Sequence, residues 1–267
     1  MNRIQRTFKV LRDKSEAASI AYIAAGDPSL SVTKELVMAL EDAGVDIIEL
    51  GIPFSDPLAD GPTIQAASGR ALKKGATLAK IFRMVAALRK KTAIPIVFMT
   101  YYNPVLHYGV ERFCAACAQF GVDGVIIPDL PYDEAGDVIR YARQRGIATI
   151  FLVAPTSSKD RIRRIAAASR GFVYYVSLTG VTGARRRLSQ EIGNKVREIQ
   201  SLTKTPVCVG FGVSNPAQAR TIAKTADGVI VGSAIIKIIE KNLSDRGALV
   251  RSVSRFARSL SSAIHNV

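Results

Sequence analysis

Asp46-Ile47-Ile48-Glu49-Leu50-Gly51 sets one carboxylate inside an otherwise apolar run that a glycine closes. Near-continuous apolar character, without the alternation of a half-exposed strand, marks a strand covered on both faces, as in a parallel sheet flanked by helices. Runs of the same kind, closed by Gly, Pro or Asp, recur at 18–25, 94–100, 124–129, 148–154, 172–178, 206–211 and 227–232. Between them lie longer stretches with helical spacing: Leu36, Leu40 and Ala43; Leu78, Ile81, Phe82, Val85 and Leu88; Phe113, Cys117 and Phe120. Eight strand-like runs, each followed by a helix, predict an α/β chain folded as a single (β/α)8 TIM barrel rather than an open doubly wound sheet. Ile4, Phe8 and Leu11 give segment 3–14 the pattern of an extra N-terminal helix.

Size and composition agree with this. The chain has 267 residues, 48% hydrophobic and 22% charged, and a barrel domain of that length buries enough surface to fold without disulfide staples. No low-complexity tract or linker divides it, so residues 1–267 read as one domain. Three cysteines, Cys114, Cys117 and Cys208, cannot all pair, and no apolar run follows the basic N-terminus, which points to a cytoplasmic protein. The longest apolar runs fall far short of the ~20 residues that span a bilayer, so no membrane role is expected. Lys and Arg outnumber Asp and Glu by 37 to 22, a net charge of +15, but the arginines are scattered and no aromatic interleaving accompanies them. That reads as a basic solvated surface and not as a nucleic-acid-binding face. Cys114 and Cys117 have the spacing of half a metal site, yet only His107 and His265 could complete it, so they read as core residues and no metal is expected.

Barrel active sites lie at the carboxyl ends of the strands and in the loops that follow. In the second run Ile47, Glu49 and Gly51 share one side. If that side is the barrel mouth, Glu49 enters a partly dry cavity where desolvation raises its pKa toward the range useful for proton transfer. The alternative is a buried carboxylate satisfied by its neighbours. Downstream, the loop from Pro53 to Gly61 carries Asp56 and Asp60 ahead of a helix. Asp60 there is either a second acid–base group or an ordinary turn and helix-capping residue. Glycines follow the last three runs: Gly180 and Gly183, Gly210 and Gly212, and Gly232 before Ser233. Barrel enzymes build phosphate sites from such backbone N–H groups and a helix N-terminus, with no need of Lys or Arg. Lys237 lies too far into the last of these helices to suggest a Schiff base.

The string from Glu49 through Gly51-Ile52-Pro53-Phe54-Ser55-Asp56-Pro57-Leu58-Ala59-Asp60-Gly61-Pro62-Thr63-Ile64 to Gln65 resembles the signature of the tryptophan synthase α-subunit family. Ala25-Gly26-Asp27-Pro28, Met99-Thr100-Tyr101-Tyr102-Asn103-Pro104, Pro128-Asp129-Leu130-Pro131, Ser177 to Gly183, Gly210-Phe211-Gly212 and Gly232-Ser233-Ala234 follow the family's pattern in order. The likeness covers nearly the whole chain. It implies a lyase that cleaves indole-3-glycerol phosphate to indole and glyceraldehyde 3-phosphate by acid–base catalysis, without metal or Schiff base. On that reading Glu49 takes the proton of the glycerol C3' hydroxyl and helps protonate indole C3, while Asp60 accepts a hydrogen bond from the indole N–H. Gly183, Gly212, Gly232 and Ser233 hold the phosphate, Tyr174 lines the glycerol portion, and Tyr22, Thr100, Tyr102 and Ile127 flank the indole.

Loop 53–60 and segment 180–188 become lids, the second poorly ordered without substrate, with Thr182 placed to bond Asp60 on closure. Arg185-Arg186-Arg187 reads as a solvated face of that segment. The resemblance further implies a pyridoxal-phosphate-dependent β subunit as partner, in an αββα assembly, with no cofactor in this chain. Asp56, the Pro53–Pro57 loop and the Tyr102-Asn103-Pro104 turn are the expected contact face. Leu178 and Thr179 stand where many relatives carry Arg and Ser, and a charge of +15 is unusual for the family. Without the resemblance, another phosphate-binding barrel, such as an isomerase or an aldolase, fits the same pattern.

Overall fold

The computed structural model describes residues 1–176, 185–210 and 212–267, with 185–189 described by backbone alone. Among the described residues nine strands form one sheet: β1 (Ala18–Ala24), β2 (Ile47–Gly51), β3 (Ile96–Met99), β4 (Gly124–Ile126), β5 (Ala148–Ile150), β6 (Leu152–Val153), β7 (Val173–Val176), β8 (Val207–Gly210) and β9 (Gly228–Val231). Their order is β5-β4-β3-β2-β1-β9-β8-β7-β6, with every pairing parallel. Only Phe151 separates β5 from β6, and its carbonyl accepts the Tyr174 N–H at 3.0 Å. The two pieces therefore act as one strand whose first half pairs with β4 and whose second half pairs with β7. The ring closes as the expected eight-fold barrel.

Among the described residues twelve helices surround or cap it: α1 (Arg3–Asp13), α2 (Leu30–Asp42), α3 (Pro62–Lys73), α4 (Leu78–Leu88), α5 (Tyr102–Tyr108), α6 (Val110–Phe120), α7 (Gly136–Gln144), α8 (Lys159–Ala168), α9 (Arg185–Leu202), α10 (Pro216–Ala223), α11 (Ser233–Lys241) and α12 (Arg246–His265). Strand alternation splits the buried residues into two sets. Ile23, Ile48, Leu50, Phe98 and Val209 face the helices, whereas Ile20, Ile47, Val97, Ile126, Ile150 and Ile230 fill the barrel interior.

Helix α1 joins the inner set. Asn2 and Gln5 form a reciprocal capping box at its start, and Ile4, Phe8 and Leu11 pack against the barrel's amino-terminal end, Phe8 at 6.0 Å from Phe172 ring to ring. Burying three such side chains supplies roughly 5 kcal/mol of transfer free energy and closes that end to solvent. Asp123 pins the same end, bonded to Arg3 at 2.9 Å, to Arg89 at 2.8 Å and to the Ile96 N–H at 2.9 Å. The interior is thus reached from the carboxyl ends of the strands. Cys114 and Cys117 are buried on α6, and Cys208 is buried inside the barrel; all three are unpaired thiols, as their patterns suggest.

Candidate active site

A cavity of about 560 Å³ opens at the carboxyl ends of the strands, lined by Tyr22, Glu49, Asp60, Tyr174, Gly212, Gly232 and Ser233 among others. Glu49 lies near the end of β2 on the same side as Ile47, as alternation predicts, and is the direct register partner of Tyr22 on β1. It is only 1% exposed, and its Oε2 has no hydrogen-bond partner among the described residues. Burial first, and the charge of Asp60 second, push its pKa up to about 8. At least one oxygen of the carboxylate is thus left unsatisfied by its neighbours. A carboxyl group kept dry, unpaired and near neutral pH is equipped to exchange a proton with something that enters the cavity.

Asp60 reaches the same cavity from the loop ahead of α3. It does not cap that helix: the N-cap is Gly61, with no side-chain hydrogen bond to it. Its backbone is tied instead, the N–H donating to the Pro57 carbonyl at 3.0 Å and the carbonyl accepting from Gln65 Nε2 at 2.8 Å. Burial raises its pKa to about 6, while a hydrogen bond with Tyr101 opposes the rise. Two carboxylates at different pKa values can divide acid and base duties.

Tyr101 is a residue that sequence reasoning passed over between Thr100 and Tyr102. Its hydroxyl accepts the Ala59 N–H at 2.9 Å, its ring lies 5.5 Å from Phe54, and burial first, with Asp60 next, raises its own pKa. It fastens the acidic loop to the end of β3. The only sequence signal was its place in the Met99–Pro104 motif.

Glycine backbone also contributes to the lining. Gly212 adopts φ +79°, a conformation that favours glycine, and it follows β8 at the cavity rim. Gly232 is the N-cap of α11 and no side chain caps that helix, which leaves its first amides open to a ligand with the positive end of the helix dipole behind them. Tyr174, buried within β7, completes the lining, along with Met99, Ile64 and Ile230, which the sequence reading had not singled out.

Thr100, Tyr102 and Ile127 are not part of this lining. Ile127 follows the end of β4 and is buried in the larger core cluster. Tyr102 opens α5 and packs against the outer core, its N–H held by Asp129 at 2.9 and 3.1 Å. Thr100 is buried, its hydroxyl donating to the Tyr101 carbonyl at 3.4 Å. Thr182 and Gly183, the order of segment 180–184 and the side chains of Arg185 to Arg187 lie outside the described residues. In loop 53–60, Ser55, Asp56, Leu58 and Ala59 are exposed, Leu58 at 93%. Among the described residues no cluster of His, Cys, Asp and Glu could hold a metal ion, and no helix is long and apolar enough to cross a membrane.

Comparison with known proteins agrees with the motifs. The family described as tryptophan synthase alpha chain matches residues 8–265. The tryptophan synthase alpha chain of Geobacter sulfurreducens is 49% identical over 266 residues, covering 100% of both chains, and that of Geotalea daltonii is 51% identical over 241 residues, 90% of this chain and 91% of the relative. The crystal structure of tryptophan synthase subunit alpha from Legionella pneumophila superposes with a TM-score of 0.93 at 36% identity, covering 100% of each chain. With acidic loop, barrel and family pattern in agreement over almost its entire length, this chain belongs to the tryptophan synthase alpha chain family.

Proposed function

We propose that residues 1–267 act as one barrel domain that cleaves indole-3-glycerol phosphate to indole and glyceraldehyde 3-phosphate. The observation that carries this reading is the unpartnered Oε2 of Glu49 inside the cavity that also holds Asp60 and the open amino end of α11. The substrate has three chemically distinct parts, and the cavity offers a counterpart to each. Its phosphate suits the amides near Gly212, Gly232 and Ser233, joined by Gly183. Its glycerol hydroxyl suits Glu49, with Tyr174 alongside. Its indole suits the apolar wall of Tyr22, Met99 and Ile64, with the ring N–H toward Asp60.

The reaction then runs by proton movement alone. A proton added at indole C3 leaves the ring electron-deficient, and ionised Asp60, accepting a hydrogen bond from the ring N–H, stabilises that charge. Ionised Glu49 removes the C3' hydroxyl proton; the C–O bond becomes a carbonyl, the bond between C3' and indole C3 breaks, and its electron pair returns to the ring. Glu49, now protonated, is placed to return a proton to C3 of the next substrate. In this scheme the chain itself carries no cofactor.

The same reading includes a pyridoxal-phosphate-dependent β subunit, an αββα assembly and cytoplasmic location. The exposed Leu58 and Asp56, close to the cavity entrance, are suited to the contact through which indole would pass to be joined to serine. The test is to incubate the purified chain with indole-3-glycerol phosphate and follow both products. Equal amounts of indole and glyceraldehyde 3-phosphate are expected, and faster release with the β subunit present; no indole under either condition overturns the proposal.

A further inference from the structure

We propose that Lys237 is the counter-charge for the substrate's phosphate, with Lys241 guiding the anion from outside. This rests on the phosphate-ester reading above and adds to it a side chain that the backbone-only site lacks. Ser233, Lys237 and Lys241 all line the cavity, and their spacing of four places them on one face of α11. Helical side chains lean toward the amino end of their own helix. A lean in that direction carries the Lys237 side chain toward the turn that presents the Gly232 and Ser233 amides.

It is free for such a role. Neither Lys237 nor Lys241 has an ion pair or side-chain hydrogen bond among the described residues, whereas the acid on the same helix, Glu240, is engaged by Arg70 at 3.3 Å. The acids that do line the cavity are Glu49 and Asp60, and they repel a phosphate dianion. Peptide amides supply direction but no net charge. A cation at the phosphate end offsets the carboxylates at the other and orients the ester along the cavity, with the leaving bond toward Glu49.

The experiment compares wild type, Lys237→Met and Lys237→Arg. Binding of glycerol 3-phosphate is measured by calorimetry at low and at physiological salt, and turnover of indole-3-glycerol phosphate is measured in parallel. Lys237→Met should weaken glycerol 3-phosphate binding about five- to tenfold at low salt and raise KM to match, with the loss falling on KM and not on kcat. The salt dependence of binding should flatten, and Lys237→Arg should restore both. Unchanged affinity and salt dependence in Lys237→Met, or a loss confined to kcat, overturns the assignment. Absence of indole release by the wild type would instead strike the underlying function, while the glycerol 3-phosphate comparison would still judge Lys237.

Discussion

Arg70 of α3 grips Asp27, which follows β1, through two parallel bonds, Nε to Oδ1 at 2.8 Å and Nη2 to Oδ2 at 2.9 Å, and Asp27 is fully buried. This fork ties the helix that follows Asp60 to the loop that follows Tyr22, and Arg70 extends it to Glu240 on the phosphate-side helix. The three elements around the mouth thus share one charged anchor. Arg70→Met should cost about 3 kcal/mol, because it leaves a buried carboxylate without its partner. Urea unfolding at neutral pH checks this, and adding Asp27→Asn should recover part of the loss.

The carboxylate pair sets the pH dependence. Glu49 is raised to about 8 by burial and by Asp60, and Asp60 to about 6 by burial. Since Glu49 must carry the proton that it delivers to indole C3, kcat/KM should fall about tenfold between pH 7 and pH 9, with its limb near the Glu49 value. In Asp60→Asn the residual activity should show that limb at lower pH, because a repelling charge has gone. A stopped assay across pH 6–10 reads both. An unshifted limb in Asp60→Asn would mean that the carboxylates do not feel one another.

Stability should follow the same groups. A carboxyl group that holds its proton more tightly when folded imposes no penalty below its unfolded pKa and a growing one as pH rises to the folded value. Wild type should therefore lose stability relative to Glu49→Gln between about pH 4.5 and 8, reaching on the order of 5 kcal/mol by pH 9. Thermal unfolding of both proteins at pH 5 and pH 9 measures the difference.

Tyr101→Phe removes the hydroxyl that accepts the Ala59 N–H and bonds Asp60. That bond lowers the Asp60 pKa, so the variant should titrate Asp60 above about 6 and lose activity first on the acid side. Carboxyl-carbon NMR of Asp60 across the titration checks the direction.

Packing at the mouth leaves no slack at Gly51. A Cβ there would lie 2.6 Å from Cζ of Tyr22, so the ring lies directly over this residue. Gly51→Ala must displace Tyr22 from the wall it shares with Glu49, and kcat/KM should fall at least tenfold. Steady-state kinetics test it, with circular dichroism to show that the barrel persists.

The barrel could be read from sequence because burial on both faces leaves a mark, the near-continuous apolar run, eight times over. The break at Phe151 left none: hydrophobicity is the same on either side of it, and what changes is the neighbour to which the backbone bonds. Strand parity found Glu49, since one carboxylate among Ile47, Ile48, Leu50 and Gly51 has few ways to be satisfied. Tyr101 was passed over, and Lys237 was set aside once a Schiff base was discounted, because their roles depend on where a loop and a helix face come to rest, and no local pattern encodes that. The N-cap at Gly61 settled what Asp60 does not do, a question that the Asp-Gly-Pro string alone had left open.

The account stands or falls with the buried carboxyl group on β2. Glu49→Gln keeps its size and removes its ability to take a proton, so indole release from indole-3-glycerol phosphate should fall by at least about a hundredfold. Binding of glycerol 3-phosphate should stay within about threefold of wild type, since the phosphate amides are untouched. Retention of more than a few per cent of turnover would contradict the assignment of Glu49 as the base.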